Sequence, residues 1–224
     1  MEPDPAVDPE FVGWPEDDPI LDLDHERFAY AGKFVMSDTG KAVLRDDGGN
    51  RGEGGDGGER DERDERGEGG GGGERDERDE GGERGEEEIL AAASFSPDRT
   101  DDTVLRIRYI TVRRDRRGEG FGPRLAGFVA RQAFERGYER VKIAVNNPYA
   151  YQALYRAGFG FTGEETGLAE LVLARPGDRS ADAYHAGLER FRERDLDGEQ
   201  RTFVERRLNA APPDSEPVVE SEEP

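Results

Sequence analysis

The stretch RRDRRGEGFGPRL, Arg113–Leu125, sets three glycines at alternate positions between a run of arginines and a helix start. Upstream, TVLRIRYITV (Thr103–Val112) is β-branched and alternating, which predicts a strand with Leu105, Ile107 and Tyr109 on one face. Downstream, Pro123 is suited to a first helical position. Leu125, Phe128, Val129 and Ala133 follow at helical spacing, and Gly137 closes the run. A glycine turn joining strand to helix is a natural anion site. Gly120 and Gly122 let backbone N–H groups approach without a Cβ in the way, and the positive end of the helix points to the same place. Arg113, Arg114, Arg116, Arg117 and Arg124 surround it with charge.

Two nucleotide loops do not fit this stretch. A P-loop needs Lys-Ser or Lys-Thr after its last glycine, and Pro123-Arg124 stands there. A dinucleotide fingerprint needs G-x-G-x-x-G and an acidic residue ending the next strand. Here the glycines run Gly118-x-Gly120-x-Gly122 and the next strand, RVKIAV (Arg140–Val145), ends in Asn146-Asn147.

Outward from the loop, Asn147 caps a helix whose first residue is Pro148, and Gly158 stops it. GFGFTG and LAELVLA (Leu168–Ala174) read as two closing strands. On the other side, RFAYAGKFVMSDTGKAVLR (27–45) has two apolar runs around Ser37–Gly40 and predicts a hairpin; EILAAASFSPDRT (88–100) predicts a third strand. The order implies an α/β fold with a mixed sheet. Ala181–Leu208 adds amphipathic helices carrying Tyr184, Leu188, Phe191, Phe203, Val204 and Leu208.

Charge is unevenly spread. Residues 46–88 contain only Gly, Asp, Glu and Arg apart from Asn50, and GERDERDE occurs twice, at Gly58–Glu65 and Gly73–Glu80. With no apolar side chain to bury, this insert predicts disorder. Residues 1–24 and 211–224 are acidic without a single base and predict disordered ends. These stretches carry −12, −9 and −5, which leaves +5 of the chain's −21 for the remainder. The arginines of the glycine turn therefore lie in a mildly basic core. Abundant acid and arginine with only three lysines (Lys33, Lys41 and Lys142) resemble the composition of cytosolic proteins of extreme halophiles. The absence of cysteine excludes disulfides, thiolate metal sites and cysteine nucleophiles, and His25 and His185 stand too far apart in sequence to suggest a metal site. An acidic N-terminus and the lack of a long apolar run point to a cytoplasmic protein without a membrane span.

The glycine stretch resembles the acetyl-CoA signature of the GNAT acyltransferase superfamily, [RQ]-x-x-G-x-[GA], here Arg117-x-x-Gly120-x-Gly122 between a fourth strand and a helix. A second family signature, N-x-x-A followed by Tyr and then Gly-Phe, is matched by Asn147-x-x-Ala150, Tyr155 and Gly158-Phe159. The resemblance covers about Phe28–Ala174. It implies a mixed, mostly antiparallel sheet flanked by helices, with a GNAT domain over 25–176 and a helical extension over 177–210. It also implies that the fourth and fifth strands splay around the pantetheine arm of acetyl-CoA. Backbone groups of Ile110 and Val112 would bind that arm, and amides of Arg117, Gly118, Gly120 and Gly122 would hold the pyrophosphate. Asn147 would touch the arm, although capping its own helix explains it equally well. An amine would attack the thioester directly, and Tyr155 would protonate the leaving thiolate.

Three departures stand out. Tyr155 comes one residue after the family's usual slot, which is Leu154 here, and one residue turns a helical side chain by roughly 100°. Either the helix starts one residue differently or Tyr155 is core. Arg106 and Arg108 occupy the strand on which many members carry a Glu base; Glu164 and Glu165 are the nearest substitutes, or a solvated acidic turn. Where the family places helices between its first two strands, only a short turn intervenes here. The acceptor site is then reduced, or rebuilt by 181–208, unless that extension merely covers the sheet or mediates dimerisation. The expectation is an acetyl-CoA-dependent N-acyltransferase acting on a small-molecule or protein amine, as a monomer or homodimer, with no metal, nucleic acid or membrane partner. The alternative is a catalytically degenerate acyl-CoA-binding module.

Overall fold

A computed structural model describes residues 8–46 and 89–214. The repetitive insert predicted over 46–88 lies outside the described residues apart from Asp46. A seven-stranded sheet runs in the order β1-β2-β3-β4-β5-β7-β6. Its strands are β1 (Pro9–Gly13), β2 (Gly40–Arg45), β3 (Ile89–Pro97), β4 (Val104–Val112), β5 (Arg140–Val145), β6 (Gly160–Glu165) and β7 (Leu171–Arg175). Every neighbouring pair is antiparallel except β4 and β5. Among the described residues, four α-helices accompany the sheet: α1 (Phe121–Glu135), α2 (Pro148–Arg156), α3 (Ala181–Arg192) and α4 (Gly198–Leu208). None of the described helices is long and apolar enough to cross a membrane.

One face of the sheet holds the main core. Leu44, Ala91, Ala93, Leu105, Ile107, Val141 and Ile143 pack against Leu125, Val129 and Ala133 of α1 and against α2. The alanines of β3 keep this face low, so the helix can approach closely. The C-terminal helices join the same core. Tyr184, Leu188 and Phe191 of α3 and Val204 of α4 are fully buried within it. Each helix has a side-chain N-cap: Ser180 accepts from the Ala183 amide and Asp197 from the Gln200 amide.

The N-terminal third departs from the sequence expectation twice. Residues 1–24 were expected to lack structure, yet from residue 8 onward they are ordered, and PEFVG forms the edge strand β1, paired with β2. Phe11 anchors it by stacking on Trp14 at 4.8 Å and meeting Phe95 and Phe128 at 5.6 and 5.0 Å. Fully burying such a ring contributes about 1.5–3 kcal/mol; Phe11 and Trp14 are partly buried, so their contacts add to the β1–β2 ladder in offsetting a chain entropy of roughly 1–2 kcal/mol per residue. The hairpin expected over 27–45 is not formed. Phe28–Val35 is irregular, with a 3-10 turn at Ala31–Lys33, and Gly40–Arg45 pairs with β1 instead.

The connection between β1 and β2 is therefore not a tight turn but the whole of residues 14–39. It covers the opposite face of the sheet: Leu21, Leu23, Phe28, Ala31 and Phe34 bury Val43, Ile89 and Ala92, with Tyr109 at the margin. Lys41 is completely buried beneath it and donates to the carbonyls of Met36 and Thr39 and to the Thr39 hydroxyl. Burial lowers its pKa, opposed by Asp18; the three oxygens supply the hydrogen bonds that water would otherwise make.

Candidate active site

The two parallel strands separate part-way along. β4 pairs with β5 only from Val104↔Arg140 to Ile107↔Ile143, although both strands continue, to Val112 and Val145. The register between β3 and β4 shifts at the same place: Ser94 faces Tyr109 and Phe95 faces Ile107, so Arg108 is an inserted residue. A bulge bends the strand that carries it, and here it ends the pairing with β5. Beyond it, the Arg113 amide donates to the Leu90 carbonyl. Because backbone groups alternate along a strand, Thr111 faces β3, and the N–H and C=O of Ile110 and Val112 face the gap.

The glycine turn sits at the open end of this gap. Gly118 and Gly120 have φ of 89° and 90°, a region that costs other residues about 1–2 kcal/mol. Gly120 is the N-cap of α1, and the helix begins at Phe121, two residues before the expected Pro123. The first helical bond of this end runs from the Arg124 amide to the Gly120 carbonyl. Among the described residues, the amides of Arg117, Gly118, Glu119, Gly120, Phe121 and Gly122 have no hydrogen-bond partner. A Cβ on Gly122 would touch Val112 at 3.5 Å, so the turn lies directly against the end of β4. A cluster of unpaired amides at a helix N-terminus is an anion cradle.

The arginines divide into two groups. Arg113 pairs with Asp115 at 2.8 Å, Arg116 with Glu119 at 2.9 Å and Arg124 with Asp8 at 3.0 Å. Their charge is largely compensated locally. Arg114 and Arg117 make no ion pair among the described residues and are exposed. The Arg114 amide donates to the Arg27 carbonyl at 2.9 Å, which ties the 14–39 cover to the start of the turn.

Helix α2 starts just past β5, so its N-terminus faces the same opening. Asn147 caps it: its Oδ1 accepts from the Ala150 amide at 2.9 Å and its Nδ2 donates to Asn146 at 3.2 Å. Tyr155 is not at the opening. It is completely buried, and its hydroxyl accepts from the Phe161 amide at 3.0 Å. Its ring lies 5.0 Å from Tyr151 and 4.7 Å from Tyr184. These partners lie on α2, β6 and α3, so the structure brings Tyr155 into the core, apart from the residues around the gap. Burial raises its pKa. Neighbouring Tyr151, which donates to the Tyr184 carbonyl at 3.0 Å, is pushed up further by the same cause. Glu164 and Glu165 are occupied as well, by Lys142 at 3.7 Å and by Arg190 at 3.5 Å.

The glycine turn thus lies against the end of β4, where Ile110 and Val112 face the gap; Asn147 caps the helix that follows β5, and Tyr155 is buried in the core. Sequence reasoning missed Arg108 as a bulge, and Tyr30; it expected Tyr109 on the face of Leu105 and Ile107, but past the bulge Tyr109 lies on the opposite face, its ring 5.9 Å from Tyr30. Tyr30 has φ of 61°, and nothing in the residue pattern signals that turn.

A mixed sheet opened between its two parallel strands, with a glycine turn at the opening, is the arrangement that the sequence resemblance implies. The family comparison agrees: residues 61–161 match the Acetyltransferase (GNAT) family, and this stretch is a GNAT acetyltransferase domain. Its described part spans β3 to the start of β6. No curated protein matches the sequence significantly. Among solved structures, nourseothricin acetyltransferase aligns over 75% of this chain and 97% of its own at 18% identity, with a TM-score of 0.42. A toxin, AtaT, bound to the C-terminus of the antitoxin AtaR and acetyl-CoA aligns over 75% and 92% at 12% identity, with a TM-score of 0.43. A Bacillus subtilis acetyltransferase in complex with CoA aligns over 38% and 68% at 16% identity, with a TM-score of 0.34.

Proposed function

We propose that the chain binds acetyl-CoA in the β4–β5 gap and transfers the acetyl group directly to an amine. The observation that carries this reading is the row of unpartnered amides from Arg117 to Gly122 at the mouth of a strand gap. A diphosphate has the charge and the acceptor oxygens those amides lack, and the fixed partial charge of the α1 N-terminus favours it. Arg117, which makes no ion pair among the described residues, would add its guanidinium. The pantetheine arm, itself a pair of amides, would complete the strand edge by bonding to Ile110 and Val112 in the gap. Asn147 serves this arrangement by fixing the start of α2, which forms the gap's other wall.

In the transfer, the neutral amine attacks the thioester carbon. The N–C bond forms, the C–S bond breaks, and the amine proton passes to water. The leaving group needs no buried acid, because a thiol with a pKa near 8.5 departs as a comparatively stable thiolate and takes its proton from solvent. Tyr155 is therefore proposed as a structural residue, and the backbone donors at the gap carry the electrostatic stabilisation.

Isothermal titration with acetyl-CoA tests the first half of the reading, and thiol release over a panel of amines tests the second. Absence of acetyl-CoA binding would refute both. A second reading, an acyl-CoA-binding module without turnover, is favoured by the burial of Tyr155 together with Arg106 and Arg108 where a carboxylate base is expected. It requires acetyl-CoA binding with no thiol release over any amine.

A further inference from the structure

Arg108 is the residue inserted at the bulge, the first position past the last β4–β5 pair. Its side chain lies on the sheet face opposite α1: Nε donates to the Ser96 hydroxyl at 2.8 Å and an Nη2 hydrogen reaches the Pro97 carbonyl at 3.3 Å. A guanidinium has five N–H donors, so three remain. The neighbouring cations are compensated. Arg106 is bonded to Asp98, and Lys142, across from it on β5, faces Glu164. Arg108 has no carboxylate within ion-pair distance among the described residues, and it is exposed.

This face is where an acceptor must arrive. In the proposed reading the glycine turn and the α1 N-terminus would hold the cofactor phosphates on the other side, and a thioester threaded through the gap would emerge towards Arg108. Ile110, whose backbone faces the gap, is two residues away, about 7 Å along the strand. Resting on the proposed transferase reading, we propose that Arg108 is a specificity residue that binds a carboxylate on the acceptor, so that the acceptor is an aminocarboxylate, either a free amino acid or the end of a peptide. The guanidinium is held in place by Ser96 and Pro97, so little side-chain freedom is lost when a carboxylate docks on it. Although its side chain reaches solvent, partial desolvation against the sheet, then Arg106 and Arg99, lowers the Arg108 pKa, opposed by Asp98 and Tyr109. Tyr109, next along the strand, and Tyr30 beyond it form an aromatic wall beside the same position.

The test compares free amino acids with the same compounds as C-terminal amides, and acidic-ended peptides with their amidated forms, by thiol release from acetyl-CoA. In the wild type, the acid should exceed its amide ten- to hundredfold in kcat/KM, as a charge-assisted pair provides. In Arg108→Gln this ratio should collapse to about 1, and in Ser96→Ala, which frees the guanidinium without removing it, it should fall part-way. The peptide arm distinguishes a free amino acid from a peptide end. Acetyl-CoA affinity, measured by titration on each variant, reports whether the fold and the cofactor site persist. A wild type that binds acetyl-CoA but accepts acids and amides equally overturns the assignment of Arg108, and so does an Arg108→Gln variant that loses both alike. A wild type that does not bind acetyl-CoA, or that binds it and releases no thiol over any amine, overturns the transferase reading itself.

Discussion

Removing one oxygen from Tyr155 separates two accounts of this site. In Tyr155→Phe the ring stays in the core between Tyr151, Tyr184 and Phe161, and only the hydroxyl is lost. That hydroxyl is the partner of the Phe161 amide at 3.0 Å. Its removal leaves a buried N–H unsatisfied, which costs about 1–3 kcal/mol. For a domain of this size, each kcal/mol lowers Tm by roughly 2–4 °C, so the variant should melt about 2–12 °C lower. A general acid removed from the reacting sulfur would instead cost about 10²–10⁴ in rate. Differential scanning calorimetry and steady-state thiol release on the same preparation measure both quantities. We expect a lower Tm with kcat within about threefold of wild type at a temperature where both are folded. A hundredfold fall in kcat with an unchanged Tm would place the hydroxyl at the thiolate and refute the structural role.

Three further outcomes follow from other parts of the structure. Gly120→Val puts a β-branched residue at φ of 90° and should weaken acetyl-CoA binding at least tenfold by titration, equivalent to about 1.4 kcal/mol; unchanged affinity would remove the turn from the cofactor site. Asn147→Ala loses the cap to the Ala150 amide, and should cost about 1 kcal/mol in denaturant unfolding while acetyl-CoA affinity changes less than threefold; a tenfold loss of affinity at unchanged stability would mark a direct contact instead. Asp98 is held well below the usual carboxylate range by the Thr100 hydroxyl, then by Arg106 and the Thr100 amide. A depressed folded-state pKa contributes stability that is complete above the unfolded value, near 3.9, and is lost as pH falls through the folded value. Asp98→Asn should therefore be less stable than wild type at pH 7, with the difference narrowing below about pH 4; a difference independent of pH would contradict this linkage.

The half of the fold from Thr103 to Phe161 was legible because its signals are local. Alternation marks β4, glycine stops mark the ends of α1 and α2, and Asn147-Pro148 marks a helix start. The N-terminal half was not, because its order comes from distant partners. PEFVG has two large apolar residues among acids and prolines, and counting charge over 1–24 hides them; what fixes β1 is Phe11 meeting Phe95 and Phe128, far along the chain. Phe28–Val35 has the apolar content of a strand, but Tyr30 at φ of 61° breaks the extension, and the sheet face beneath it needs a cover more than the edge needs a strand.

The site divides along the same line. The turn at Gly118, Gly120 and Gly122 could be read because a turn is a backbone feature, and it follows from position between a strand and a helix. Tyr155 could not, because a side chain's role depends on which way the helix presents it, and the capped start at Asn147 settles the rotation. With Pro148 at the first position, Tyr151 and Tyr155 lie four residues apart on one face, their rings tilted against each other, and that face is turned to α3. A tyrosine at position 154 would lie roughly 100° round the helix, in the slot that Leu154 fills. The arrival of α3 explains why this chain could keep a tyrosine one residue late: Tyr184 and the carbonyl it presents to Tyr151 give the phenols a buried polar use, one that a helix bordering only the gap would not offer.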